Sequence, residues 1–181
     1  MSDGLEVSML HFVLGGARSG KSRYAEQLAK NKQRPCTYIA TADALDAEMQ
    51  QRIAHHQQQR PAKWQLIEEP IFLADTLQKL DQPQQVVVVD CLTLWMNNLL
   101  LNDQADLQQQ QCQQLLTVLP QLKADVILVS NETGLGVVPM GQLTRRFVDE
   151  SGWLHQALGQ ICDHVTFCVA GFPMHLKGEA P

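Results

Sequence analysis

The 181-residue sequence lacks several features that would each point to a class of function. It has no block of basic residues and carries a formal net charge of −5, which argues against nucleic acid as the main partner. It has no apolar run of membrane-spanning length, and its first residues, Met1–Glu6, are too polar and acidic for a signal peptide. From these absences we expect a cytoplasmic protein with no membrane insertion.

Cysteine is present, but not in a spacing typical of a metal or redox site. The cysteines are odd in number, and no two form a Cys-x-x-Cys pair. They are either part of such a site or small buried residues in a reducing cytosol, and the spacing favours buried residues. The five are Cys36, Cys91, Cys112, Cys162 and Cys168.

Short apolar runs alternate with helical patterns along the chain. The β-branched run Val86–Val89 and the similarly apolar run Val126–Val129 are typical of strands buried on both faces of a parallel sheet. Further strands are predicted at Met9–Leu14, Cys36–Ala40 and His164–Ala170, and a strand or extended loop at Trp64–Glu68. Helices are predicted at Leu45–Gln59, Leu73–Leu80 and Gln104–Val118. A longer helix is predicted with Leu143, Phe147, Leu154, Leu158 and Ile161 on its buried side. The alternation predicts an α/β fold, a doubly wound and mainly parallel sheet with its site at the carboxyl ends of the strands.

The most informative motif is a phosphate-binding loop. Residues 15–22 read Gly-Gly-Ala-Arg-Ser-Gly-Lys-Ser, a complete G-x-x-x-x-G-K-[ST] pattern between a predicted strand and a predicted helix. A strand, a Gly-rich turn and a helix N-terminus together direct several backbone N–H groups at one phosphate. In this arrangement Lys21 reaches the β- and γ-phosphates and the Ser22 hydroxyl ligates Mg²⁺. The motif predicts a single-domain P-loop NTPase-like fold whose nucleotide site includes Gly15, Gly16, Ala17, Arg18, Ser19, Gly20, Lys21 and Ser22.

A second candidate is Asp90, which directly follows the run Val86–Val89. P-loop proteins place a Mg²⁺-organising carboxylate at the end of such a strand. The alternative is an aspartate that caps the helix beginning near Cys91. Given the phosphate loop, we favour the metal role.

A pair of histidines lies on the helix predicted over Leu45–Gln59. His56 continues the apolar stripe, whereas His55 is rotated by about 100° and shares a face with Arg52. A neutral imidazole is a competent nucleophile at phosphorus, and Arg52 and Arg60 could offset the charge that develops there. From spacing alone, paired histidines on a solvated helix face are more often without a special role.

Together these motifs resemble the bifunctional adenosylcobinamide kinase/adenosylcobinamide-phosphate guanylyltransferase family of cobalamin biosynthesis. The resemblance extends from about Leu10 to Lys177, and residues 1–8 form an N-terminal extension to a domain over residues 9–181. It rests on Gly15–Arg23, Tyr38–Ala42, Arg52-Ile53-x-His55-His56, Arg60-Pro61-x-x-Trp64, Val88–Thr93, Ser130-Asn131-Glu132-x-Gly134-x-Gly136-x-Val138-Pro139 and Arg146-Phe147-x-Asp149.

The resemblance implies a two-step enzyme with Mg²⁺ as cofactor and ATP and GTP as substrates. It implies phosphorylation of adenosylcobinamide, then transfer of GMP to adenosylcobinamide phosphate through a GMP–histidine intermediate at His55. It also implies a single α/β domain that assembles as a homotrimer. Beyond the loop, the implied nucleotide contacts are Ala40, Thr41, Ala42, Gln57, Gln58, Gln59, Arg60, Glu68 and Asp90. Without the resemblance, Glu68 would be read as an exposed acid before Pro70.

The sequence departs from the family pattern at His155, where we expect an asparagine. Two other functions remain open from the residues alone. A simple P-loop kinase of a small metabolite would use the loop without a covalent histidine. A GTP-binding switch is disfavoured because Asn131-Glu132-Thr133-Gly134 does not match the Asn-Lys-x-Asp sequence that reads guanine.

Overall fold

A computed structural model describes residues 8–42 and 63–179. The helix predicted over Leu45–Gln59, with His55 and Gln57–Arg60, lies outside the described residues. The strands are β1 (Leu10–Gly15), β2 (Cys36–Ala40), β3 (Gln65–Glu68), β4 (Val86–Asp90), β5 (Asp125–Asn131), β6 (His164–Val169) and β7 (Phe172–Lys177). The helices of the described ranges are α1 (Lys21–Asn31), α2 (Leu73–Leu80), α3 (Leu92–Leu100), α4 (Leu107–Val118) and α5 (Gln142–Ile161), with a 3₁₀ turn at Leu119–Gln121.

The strands form one seven-stranded sheet in the order β3-β2-β4-β5-β1-β6-β7. All neighbouring pairs are parallel except β6 and β7, which are antiparallel. The prediction of a mainly parallel α/β sheet is therefore confirmed. The strand β7 was not predicted.

Two hydrophobic clusters lie on opposite faces of the sheet, because successive side chains of a strand point in opposite directions. Phe12 belongs to the cluster under α2, α3, α4 and α5, and Val13 belongs to the cluster under α1. Val87 and Val89 likewise join the first cluster, and Val86 and Val88 join the second. The central strands are therefore buried on both sides, which explains the unbroken apolar run Val86–Val89 in β4.

Two details of the helices differ from expectation. Leu143, predicted on the buried side of the long helix, is 51% exposed, because the first turns of α5 extend beyond the core. In the Gln-rich helix α4, whose leucines predicted one solvated face, Gln108 and Gln111 are buried. Gln108 Nε2 donates to Glu150 Oε2 at 2.9 Å, so this glutamine connects α4 to α5.

A buried histidine on β1 makes the stability of the fold sensitive to pH. The side chain of His11 is fully buried, its Nε2 lies 2.8 Å from Thr166 Oγ1, and its ring stacks on His164 at 5.3 Å between centroids. Burial, together with the positive charges of His164, His175 and Lys32, lowers the pKa of His11 to about 4. His11 is therefore protonated only at a lower pH in the folded protein than in the unfolded chain, where it accepts a proton near pH 6.5.

We expect the free energy of unfolding to fall as the pH decreases from about 6.5 to about 4, by roughly 3 kcal/mol from His11 alone. Urea titrations at several pH values would measure the slope in the wild type and in His11→Gln, whose side chain does not titrate. The variant is expected to lose that part of the slope, whatever its stability at neutral pH. An unchanged slope in His11→Gln would assign the effect to other groups.

Candidate functional site

The phosphate-binding motif has the predicted strand–loop–helix form. Gly15 ends β1, and Lys21 is the first residue of α1. Within the loop, Ser19 N donates to Gly16 O at 3.3 Å, and Tyr24 N donates to Gly20 O at 3.0 Å. The Lys21 side chain is 9% exposed, and its Nζ donates to Gly16 O at 3.2 Å. The lysine is therefore folded back over the loop that it is expected to serve.

Two glycines of the loop are required by their surroundings. A Cβ at Gly15 would lie 2.4 Å from Ser19 Oγ and 2.7 Å from Cys168 O. Gly20 has a φ of +92°, and a Cβ there would lie 3.1 Å from the Cα of Gly171. Gly171, in the turn between β6 and β7, also donates its N–H to Ser19 O at 2.9 Å. This turn therefore supports the loop from the outside, a contact that the sequence analysis missed.

The remaining loop positions present mostly backbone to the site. Ala17 and Arg18 are exposed, and Arg18 has a φ of 56°. Ser22 is half-buried in the first turn of α1. Ser19 Oγ is buried and has no hydrogen-bond partner among the described residues, so a polar group is available where the loop closes.

The candidate residues Glu68, Ala40 and Asp90 lie side by side at the carboxyl edge of the sheet. Ala40 is paired with Glu68 on β3 and with Asp90 on β4. Glu68 is exposed, and Asp90 is half-buried. Tyr38 Oη donates to Asp90 Oδ2 at 2.8 Å, and no donor to Oδ1 occurs among the described residues. The residue that precedes α3 is Cys91, and no side chain caps the helix, so the capping alternative for Asp90 is not observed.

Thr41 ties the ends of β2 and β4 together. Its hydroxyl donates to Cys91 O at 2.6 Å and accepts the Cys91 N–H at 2.9 Å. Its carbonyl accepts Asn98 Nδ2 at 2.8 Å, and its N–H donates to Asp90 O at 3.4 Å. All the polar groups of Thr41 are thus hydrogen-bonded within the protein. The next residue, Ala42, is half-buried.

Strand β5 lies between the strand that carries Asp90 and the strand that leads into the phosphate loop. Asn131, its last residue, is paired with Gly15, and Glu132 N donates to Gly15 O at 3.1 Å. Asn131 N donates to Thr93 Oγ1 at 2.7 Å. The end of β5 therefore connects the phosphate loop to the start of α3.

The cysteines have the properties of small buried residues. All five are free; Cys112 is half-buried and the other four are buried. Burial raises the thiol pKa of Cys36 to about 12 and of Cys91 to about 11, which keeps them protonated and unreactive. No cluster of metal-ligating side chains and no helix capable of crossing a membrane occurs in residues 8–42 and 63–179.

Comparisons with known proteins agree over nearly the whole length. A family model described as cobinamide kinase / cobinamide phosphate guanyltransferase matches residues 11–176. The chain is 55% identical to the bifunctional adenosylcobalamin biosynthesis protein CobP of Pseudomonas aeruginosa, with 94% of this chain and 99% of that protein covered. It is 36% identical to CobU of Escherichia coli, with 93% and 100% covered. A solved structure from Pyrococcus horikoshii OT3 is 10% identical with a TM-score of 0.57, covers 96% of this chain and 88% of its own, and shares the fold.

Proposed function

Because the chain belongs to the cobinamide kinase / cobinamide phosphate guanyltransferase family, we propose that it carries out two consecutive reactions on adenosylcobinamide. The first is phosphorylation of the aminopropanol hydroxyl by ATP or GTP. The second is transfer of GMP from GTP to the new phosphate, with release of pyrophosphate. The observation that carries the proposal is the phosphate loop, with Lys21 folded over it, at the same sheet edge as Asp90. As part of the proposal, the enzyme is a cytoplasmic homotrimer.

In the kinase step, catalysis depends mainly on the positioning of the reactants and on electrostatic stabilisation of the transition state. Backbone N–H groups of residues 15–22 would hold the β- and γ-phosphates at the N-terminus of α1. Lys21 Nζ now donates to a neutral acceptor, Gly16 O, at 3.2 Å. It would exchange this carbonyl for a phosphate oxygen, because a charged acceptor forms the stronger hydrogen bond. The substrate hydroxyl oxygen would then form a bond to the γ-phosphorus as its proton passes to solvent, and the bond from the γ-phosphorus to the bridging oxygen would break to release the nucleoside diphosphate.

The residues present fit a divalent cation beside the triphosphate. Ser22 and Asp90 are hard oxygen ligands at the carboxyl edge of the sheet, and Asp90 Oδ1 has no donor among the described residues. We propose that these two residues hold Mg²⁺, Asp90 directly or through water. When bound, Mg²⁺ would supply positive charge that offsets the negative charge of the triphosphate. Tyr38 holds Asp90 in place through Oδ2.

In the guanylyl-transfer step, we propose His55 as the nucleophile. One imidazole nitrogen would attack the α-phosphorus of GTP, forming a P–N bond as the bond to pyrophosphate breaks. The phosphate of adenosylcobinamide phosphate would then attack the same phosphorus and release free His55. Ala40, Ala42, Glu68 and the segment Gln57–Arg60 are proposed to contact the nucleotide, and Thr41 to hold the edge that presents it.

Labelled nucleotides test the proposal directly. The purified protein with adenosylcobinamide, Mg²⁺ and γ-labelled ATP should yield labelled adenosylcobinamide phosphate. With α-labelled GTP alone, it should release pyrophosphate and retain the label on the protein. With α-labelled GTP and adenosylcobinamide phosphate, it should yield adenosylcobinamide-GDP. A simple P-loop kinase of a small metabolite would leave no label on the protein from α-labelled GTP, and a GTP-binding switch would give none of the three results.

A further inference from the structure

His155 lies at one end of a chain of side-chain hydrogen bonds that reaches the phosphate loop. Its Nε2 is 2.9 Å from Ser130 Oγ. Ser130 Oγ is in turn 3.2 Å from Thr93 Oγ1, which accepts the Asn131 N–H at 2.7 Å. The chain thus joins α5, β5 and α3, and it ends at the residue paired with Gly15.

The hydrogen bonds of this chain favour one tautomer of the histidine. Thr93 Oγ1 accepts the Asn131 N–H, so its own proton is free to go to Ser130, and the Ser130 proton to His155 Nε2. In this arrangement each hydroxyl accepts once and donates once, and the imidazole is neutral with its proton on Nδ1. A proton on Nε2 would reverse Ser130, which would then donate to Thr93 Oγ1 and turn the Thr93 proton out of the chain, toward the Cys91 thiol.

The surroundings of the ring favour the neutral form. His155 packs against Phe12 of β1 with centroids 5.4 Å apart, and its hydrogen-bond partner Ser130 of β5 is uncharged. Burial lowers the pKa of His155, and the carboxylate of Glu132, after β5, offsets part of that shift. Any loss of activity through protonation of His155 is therefore expected at a lower pH than that at which an exposed histidine titrates.

The other end of the chain carries an unused acceptor next to the phosphate loop. Asn131 Oδ1 is buried and has no hydrogen-bond partner among the described residues. The backbone on both sides of this carboxamide is held, by Thr93 at Asn131 N and by Gly15 at Glu132 N. A small displacement here would shift both the carboxamide and the loop, and reaction centres lose rate steeply with such displacements.

We propose that His155 is a positioning residue for the reaction centre: its unprotonated Nε2 holds Ser130 and Thr93, and through them the Asn131 backbone, against the phosphate loop. The proposal rests on the proposed function for the reaction that is assayed. His155 itself does not touch the substrate in this role. A group that acts only by filling space would not need a hydrogen-bond acceptor at this position.

Two substitutions at the same position separate the acceptor from the volume. In His155→Gln, the side-chain carbonyl can accept the Ser130 proton but does not titrate; in His155→Phe, the ring still packs on Phe12 but accepts nothing. We expect kcat of the kinase step in His155→Gln to stay within about threefold of wild type near neutral pH, and in His155→Phe to fall about tenfold or more. As the pH decreases, the wild type should lose an additional part of kcat that His155→Gln does not lose. The double variant Ser130→Ala/His155→Phe should have a kcat no lower than that of either single variant, because both substitutions break the same hydrogen-bond chain.

Equal kcat values for the Phe and Gln variants, or the same acid loss in His155→Gln as in wild type, would overturn the proposal. Nitrogen NMR of the histidine rings gives a readout that does not depend on turnover. The wild type should show His155 protonated on Nδ1 and unprotonated on Nε2 at neutral pH; the opposite tautomer would overturn the proposal. If the wild type shows this tautomer but does not phosphorylate adenosylcobinamide, the proposed function fails and the hydrogen-bond chain stands.

Discussion

Replacing Lys21 with alanine is expected to remove most of both activities while the protein stays folded. Its ammonium group is the positive charge that the motif places over the loop, folded back on Gly16 O at 3.2 Å. Both reactions draw on the same triphosphate cradle, so both should lose it. Loss of a preorganised charge contact typically costs about 3 kcal/mol of transition-state stabilisation, or more than 100-fold in rate.

The measurement is kcat/KM for the kinase step and the rate of protein labelling by α-labelled GTP. Lys79→Ala is a matched control, since it removes the same side chain from an exposed position on α2. Thermal unfolding should show both variants folded, because the side-chain hydrogen bond that Lys21 makes among the described residues is to a loop carbonyl, Gly16 O. Near-normal rates in Lys21→Ala would mean that the triphosphate binds elsewhere, and the proposed function would lose its main support.

Replacing His55 with alanine is expected to abolish guanylyl transfer and to leave kinase activity. A nucleotidyl transfer that proceeds through a covalent histidine has no alternative nucleophile once the imidazole is gone. Direct phosphoryl transfer depends on the loop and on the carboxyl edge of the sheet, which this substitution leaves intact. His55→Ala should take up no label from α-labelled GTP. In the wild type, the bond between the label and the protein should be acid-labile and base-stable, as the P–N bond of a phosphoramidate is.

The neighbouring histidine provides the control for this experiment. His56→Ala should still take up label, because the helical pattern places His56 on the apolar stripe rather than beside Arg52. If label were retained in His55→Ala and lost in His56→Ala, the nucleophile would be His56, and the assignment of His55 would be wrong. Equal loss of both activities in a folded His55→Ala would mean that the two steps share His55.

The sequence predicted the central sheet well because its strands are buried on both faces. Val86–Val89 and Val126–Val129 have no polar residue to interrupt them, so their pattern allows few other structures. The edge strand β7 was missed for the opposite reason. Its side chains are exposed, and it contains Pro173, which is tolerated on an edge but argues against a strand when read from sequence.

The same contrast applies to the candidate site. A contiguous motif such as residues 15–22 fixes its local geometry, so its strand–loop–helix form could be read directly. Contacts between distant segments could not. Gly171 against Gly20, and the chain from His155 to Asn131, depend on which strands become neighbours, and sequence spacing does not contain that information. The roles of His55, Gln57–Arg60, Glu68 and Asp90 remain predictions.

The hydrogen bond from Gly171 to Ser19 also has a consequence for biosynthesis. The turn that holds the loop is encoded about 150 residues after the loop itself. A nascent chain that has emerged only through β5 has the complete motif without its outer support. Domains commonly begin to fold during synthesis, N-terminal parts first. Here, firm nucleotide binding would be one of the last properties acquired, after the β6–β7 hairpin has left the ribosome.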